Sequence, residues 1–216
     1  MNYANSEQYG ISNEIQLEQS GGSVSSVGEF YQYGEYQKSS MTQQGLENSA
    51  KIFQGDIDNQ SLYGYNEVEQ SREGNNNIAE IHQIKIEEGY IVQTQIGTGN
   101  NVIASQNINF QAEVNSISQF QNGNNNTMLA LQDKNEGMQY FSNNFIGQTQ
   151  LGDGNVMSSI QLGTQNNAYL TQNGDFNSLE TTQIGSDNML TITQNGNSNA
   201  LIIAQGGSGH VNTIMQ

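Results

Sequence analysis

The chain has 216 residues with 21 acidic and 5 basic side chains, a formal net charge of −16, no cysteine and no proline. Such an acidic chain is a poor partner for nucleic acid or an anionic membrane surface, and the lack of cysteine excludes a disulfide framework and thiolate metal sites. Only 33% of residues are hydrophobic, too few for an ordinary globular core, and no apolar run is long enough to span a membrane.

Order must therefore come from elsewhere, and the sequence supplies a repeat. Taken in chain order, a seven-residue pattern N-x-Φ-x-z-x-Q ends on Gln8, Gln19, Gln32, Gln43, Gln54, Gln70, Gln83, Gln95, Gln106, Gln121, Gln132, Gln150, Gln161, Gln172, Gln183, Gln194, Gln205 and Gln216. From Gln150 onward the spacing is a strict eleven residues. Six places before each glutamine stands Asn2, Asn13, Asn48, Asn77, Asn100, Asn115, Asn126, Asn144, Asn155, Asn166, Asn177, Asn188 or Asn199; the five departures are Ser26, Gln37, Gly64, Gly89 and His210. A fixed period of this kind is the signature of a repeat architecture.

Within a unit the Asn, Φ, z and Gln positions lie two residues apart, so an extended strand points all four to one side. Pairs such as Ile15/Leu17, Ala50/Ile52, Ala79/Ile81, Val102/Ala104, Met128/Ala130, Ala168/Leu170, Leu190/Ile192 and Leu201/Ile203 make the middle of that side mostly apolar, and it is assigned to the interior. Helix is excluded by the period of two and by a turn every eleven residues or so.

The usual spacer between units is four residues with glycine second. These arc glycines are Gly10, Gly34, Gly45, Gly74, Gly97, Gly123, Gly152, Gly163, Gly174, Gly185, Gly196 and Gly207, placed where a tight reversal calls for positive φ. Two strand-and-arc units make one rung. The expected fold is an all-β, two-stranded-per-rung β-solenoid of about nine 22-residue rungs, a single domain over 1–216, most regular over 144–216. The long spacers 55–63, 84–88, 107–114 and 133–143 all follow an odd-numbered unit, so they emerge on one edge. The smaller spacers 20–25 and 71–76 fall on the other, and a solenoid tolerates both because a bulging arc leaves the strands in register. Identical side chains stacked rung on rung predict Gln and Asn ladders bonded amide to amide along the axis.

No catalytic or metal site is expected. His82 is assigned outward and His210 to an Asn column, neither placed as a triad base. The turn at Gly152-Asp153-Gly154-Asn155 lacks the nine-residue recurrence of a calcium-binding β-roll, and Tyr31, Tyr33 and Tyr36 are assigned to the outer face as strand formers. Residues 1–20 show neither a basic start nor an apolar segment, so any export signal is expected to be already removed.

The unit Q-x-G-x-x-N-x-A-x-x-x-Q, nearly verbatim at Gln43-Gln-Gly45-Leu-Glu-Asn48-Ser-Ala50-Lys-Ile-Phe-Gln54, resembles the curlin repeat of curli fibre subunits, and the resemblance extends over the whole chain. It implies a secreted bacterial functional amyloid, a cell-surface fibre for biofilm matrix and adhesion, with no cofactor. Its implied partners are further copies of itself head to tail, a minor nucleator subunit and an outer-membrane secretion pore. The regularity after Gln150 favours the major subunit over the nucleator. The other class weighed is an ice-binding or ligand-binding β-solenoid; outward residues Ser158, Tyr169, Glu180, Thr191 and Ile202 show no repeated array.

Overall fold

The computed structural model describes residues 2–55, 65–84, 88–107, 114–133 and 143–216. Among the described residues eighteen strands follow one another without a helix, from β1 (Tyr3–Tyr9), β2 (Glu14–Val24), β3 (Val27–Tyr33), β4 (Lys38–Leu46), β5 (Ser49–Gln54), β6 (Tyr65–Asn75), β7 (Ile78–Ile84), β8 (Glu88–Thr98) and β9 (Asn101–Asn107) to β10 (Asn115–Asn122), β11 (Thr127–Asp133), β12 (Phe145–Leu151), β13 (Val156–Thr164), β14 (Asn167–Asn173), β15 (Ser178–Ser186), β16 (Met189–Asn195), β17 (Ala200–Ser208) and β18 (Val211–Met215). All odd-numbered strands form one nine-stranded parallel sheet and all even-numbered strands a second. Each odd strand and its even successor make one rung, so the chain coils as a β-solenoid.

Alternation decides which side chains fill the coil. In β13 and β14, every second residue is buried and the intervening ones are half-buried or exposed. The apolar interior falls into two clusters along the axis. One runs from Phe30 and Met41 through Ile52, Val68, Ile81, Ile91 and Ile117 to Ile146. The second takes over with Met128, Met157, Leu170, Leu179, Leu190 and Ile192. Both lie in a strip two side chains wide, which is why a low apolar fraction suffices.

The four long spacers fall between β5 and β6, β7 and β8, β9 and β10, and β11 and β12, on one edge as the odd-to-even rule requires; most of their residues lie outside the described ones, as does Gly64. The spacer 20–25 is absorbed by a register irregularity between β2 and β4 at Ser20/Val24.

One assignment is corrected. Gln70 pairs with Met41 and Gln93, whereas Arg72 pairs with Gln43 and Gln95. The sixth unit is therefore Asn66-x-Val68-x-Gln70-x-Arg72, two residues later than the glutamine pattern placed it, and Asn66 rather than Gly64 occupies the Asn column, opposite Gly89. A slip of two leaves the inward face inward. The corrected unit also removes the irregular spacer 71–76, because Glu73-Gly74-Asn75-Asn76 is an ordinary four-residue arc with glycine second.

Candidate functional site

Positions that stack at every rung build three amide ladders. In the odd sheet, Nε2 of each glutamine donates to Oε1 of the next, from Gln8 through Gln32, Gln54, Gln83, Gln106, Gln132, Gln161 and Gln183 to Gln205, at 2.7–3.1 Å. In the even sheet the ladder runs Gln19 to Gln43, breaks, and resumes from Gln95 through Gln121, Gln150, Gln172 and Gln194 to Gln216 at 2.8–3.3 Å. The second amide hydrogen crosses the interior to a backbone carbonyl on the facing strand, as Gln161 does to Phe145 at 2.8 Å and Gln132 to Ser116 at 3.0 Å. In residues such as these both donors of the buried amide are satisfied, which removes the desolvation cost that would otherwise forbid them.

The third ladder was not legible as one. Gln70, Gln93, Gln119 and Gln148 occupy a middle position expected to be apolar, all within 1% of full burial, and bond in sequence at 2.8–2.9 Å. They too reach across, to the carbonyls of Lys51, Glu80, Ile103 and Leu129. The signal available was their own recurrence, which only makes sense once even units are compared with even units.

The asparagine columns work differently from the amide-to-amide expectation. In the odd sheet, each column residue accepts the backbone N–H of its successor: Asn2 and Ser26 at the start, then Asn48, Asn77, Asn100, Asn126, Asn155 and Asn177, ending on Asn199. The side-chain nitrogen meanwhile donates to an arc-glycine carbonyl one rung on, from Asn48 to Gly74, Asn77 to Gly97, Asn100 to Gly123, Asn126 to Gly152, Asn155 to Gly174 and Asn177 to Gly196 at 2.7–2.9 Å. Asn144, Asn166 and Asn188 do the same for Gly163, Gly185 and Gly207, and Asn13 for Gly34. Direct amide-to-amide bonds are added from Asn177 to Asn155 and from Asn188 to Asn166. In the even column Gln37 binds Asn13, Asn144 binds Asn115, and His210 donates its backbone N–H to Asn188. Asparagine is therefore a clip between strand start and arc, a role glutamine's longer arm does not share.

The arc glycines all have positive φ, from +99° at Gly196 to +137° at Gly123. A Cβ on Gly45 would lie 1.9 Å from the carbonyl oxygen of Gly74, and one on Gly163 2.1 Å from that of Gly185, so these stacked positions exclude a side chain, whereas Gly196 and Gly207 in the last rung have no backbone above them to clash with.

Arg72 interrupts the even ladder. It is 1% exposed, its Nη1 donates to the Ser49 carbonyl at 2.7 Å, and its Nη2 meets Gln70 Oε1 at 3.5 Å. Its Nε and Gln95 Oε1 in the next rung have no partner. No carboxylate makes an ion pair with it among the described residues, and burial pulls its pKa down to about 9.

Outside the core, His82 is outward as expected, with Nε2 2.8 Å from Glu80. Tyr31 is outward against Phe53. Tyr33 ends β3 on the same face, but Tyr9 and Phe53 on either side cover it and leave it 4% exposed. Tyr36 is an arc residue with φ +58° rather than a strand former. Because successive units alternate between sheets, outward columns must be read within one sheet, and there Thr149, Thr171 and Thr193 stack in adjacent rungs before the column passes to Met215. No group of three potential metal ligands is found among the described residues. No known family matches the chain, and no curated protein shows significant similarity to it.

Proposed function

We propose that this protein is a non-catalytic structural subunit that polymerises end on into a curli-type extracellular fibre. The observation that carries this reading is the directionality of the ladders. Every Gln–Gln bond along the axis has its donor in the earlier rung and its acceptor in the later one. The first rung accordingly offers Gln8 and Gln19 oxygens, and the ninth offers Gln205 and Gln216 amide hydrogens, in the same columns. Edge strands in register with their own repeat recruit further strands. In this reading a second copy continues both sheets and all columns, and the fibre serves adhesion and biofilm matrix at a bacterial surface, with a nucleator subunit and a secretion pore as further partners. The odd-sheet glutamine ladder, continuous from Gln8 to Gln205, supports a bulk fibre-forming role over that of a nucleator.

The test is whether purified protein polymerises unaided into fibres with cross-β diffraction, and whether preformed fibre abolishes the lag. A protein that stays monomeric at high concentration, seeded or not, overturns the proposal. The Thr149–Thr171–Thr193 column is the one observation favouring an ice-binding solenoid instead, and it spans three rungs before Phe120 and Met215 interrupt it; thermal hysteresis in the monomer would establish that alternative.

A further inference from the structure

We propose that Tyr36 and Tyr65 form an oxidative cross-linking site, at which a one-electron phenol oxidant joins the second rung covalently to the third. The two rings stack with centroids 5.1 Å apart and planes 26° from parallel. Both are open to solvent, at 40% and 63% exposure, on the wall of a groove of about 290 Å³ that also includes Ser12, Glu14, Lys38 and Tyr90. Their backbones are held: Tyr36 donates its N–H to the Ile11 carbonyl at 3.0 Å, and Tyr65 is paired with Glu88 in the sheet. Among the described residues the other stacked tyrosine pair is Tyr9–Tyr33, with centroids 5.5 Å apart, but there Tyr33 is 4% exposed. Tyr31 and Tyr169 pack tilted against Phe53 and Phe145, which cannot form phenoxyl radicals.

The oxidant class is a haem peroxidase with hydrogen peroxide. Each phenol gives up one electron and one proton, and the peroxide is reduced to two waters by the two electrons and two protons. The two phenoxyl radicals then join through a carbon–carbon bond between positions ortho to oxygen. The hydrogen on each joined carbon moves to the phenoxyl oxygen, restoring both aromatic rings. The product is a biphenol with two hydrogens fewer than the starting pair. Rings already face to face need no encounter step, and coupling within the folded chain outcompetes coupling between chains.

The position gives the link a consequence. It bridges the second and third rungs at the step where Arg72 breaks the even ladder, so a bond there restores continuity from outside where the interior lacks it. A covalent closure also removes conformations from the opened state.

The experiment treats the folded full-length chain at low concentration with peroxidase and hydrogen peroxide, then locates cross-links by tandem mass spectrometry of proteolytic peptides. The expected principal product joins Tyr36 to Tyr65, with a yield independent of protein concentration. Tyr36→Phe and Tyr65→Phe, which keep the stacked ring, lower the biphenol fluorescence by on the order of tenfold. Tyr169→Phe and Tyr90→Phe leave it unchanged, and denaturant abolishes the selectivity. In the cross-linked protein, hydrogen exchange in β1–β4 slows. A cross-link that maps mainly to Tyr9–Tyr33, a yield that rises with protein concentration, or Phe variants that couple as well as the parent each overturn the assignment.

Discussion

At the scale of single residues, a buried amide is worth what its partners make it. Gln172 is fully buried, accepts from Gln150 at 2.8 Å and donates to Gln194 at 2.9 Å. Gln172→Ala removes one amide and leaves two neighbours short of a partner, an expected loss of about 1–3 kcal/mol. Thr171→Ala, one residue away on the outer face, changes stability by less than about 0.5 kcal/mol. Chemical denaturation of both variants checks the inward and outward assignment; equal effects would refute it. Arg72 presents the opposite case, a buried cation without a counter-charge, for which the desolvation cost is several kcal/mol. Arg72→Gln is expected to raise stability by about 1–3 kcal/mol, because it removes that charge and lets Gln43 and Gln95 join through a new amide. The pH dependence has a definite sign. The folded-state pKa is depressed to about 9, so the full penalty is present below that value. Above it the unfolded state binds more protons, and the parent's stability rises with pH towards the ordinary arginine value. The advantage of Arg72→Gln is therefore complete at pH 7 and shrinks above pH 9, which paired denaturation curves at pH 7 and at a pH well above 9 would show. Sequence could have found this residue. The glycine of an arc stands two places after the ladder position, and Gly74 points to Arg72, not Gln70; following glutamine identity instead of glycine spacing is what displaced the unit.

At the scale of the element, the strand was legible and the arc only half so. Alternation of period two fixed which side chains face inward, and it survived even the two-residue slip in β6. The arc has a second left-handed position that composition hides. Besides the glycine, its fourth residue also has positive φ: +58° at Ser12, +55° at Glu47, Asn76, Asn125 and Gln165, +56° at Phe176 and Asp187, and +60° at Ser198. Gly99, Gly154 and Gly209 hold the same position at φ +71°, +67° and +72°, and with Asn76, Asn125 and Asp187 they are the types that tolerate this region; the Ser, Glu, Gln and Phe residues among them dilute that signal. The two positions predict opposite responses. Gly163→Ala places a Cβ 2.1 Å from the Gly185 carbonyl oxygen at φ +123°, and the column has no room to yield; a loss above about 3 kcal/mol is expected. Gln165→Gly, in the same arc, relieves a left-handed side chain at an exposed position and should gain up to about 1 kcal/mol. Thermal unfolding of the pair distinguishes them, and a Gly163→Ala protein as stable as the parent would show that the arcs are not the tight stack seen here.

At the scale of the whole molecule, pairing units into rungs was decidable from the sequence because the long spacers obey it, each following an odd unit. What sequence could not show was the direction of the hydrogen bonds, because that depends on which face of each peptide points along the axis. In the odd sheet the residue after each column position donates its N–H to the following rung, as Val27 does to the Asn48 carbonyl, Val156 to Asn177 and Ser178 to Asn199, at 2.7–2.8 Å. Parallel pairing repeats this every second residue. Outward-facing residues therefore donate towards later rungs, and inward-facing ones towards earlier rungs. In β17, which pairs only with β15, the N–H groups of Ala200, Ile202 and Ala204 face away from the stack, while those of Leu201 and Ile203 hold β17 to its neighbour. This separates folding from assembly. Replacing Ile202 and Ala204 by proline removes two donors from the free edge and none from the interior, so the monomer should keep its β-rich circular dichroism while seeded fibres elongate at least about tenfold more slowly. Proline at Leu201 and Ile203 should instead loosen β17 from β15 and lower monomer stability as well. If the Ile202/Ala204 double variant elongates seeded fibres at the parent rate, the ninth rung is not where the next copy docks, and end-on continuation of the ladders is the wrong mode of assembly.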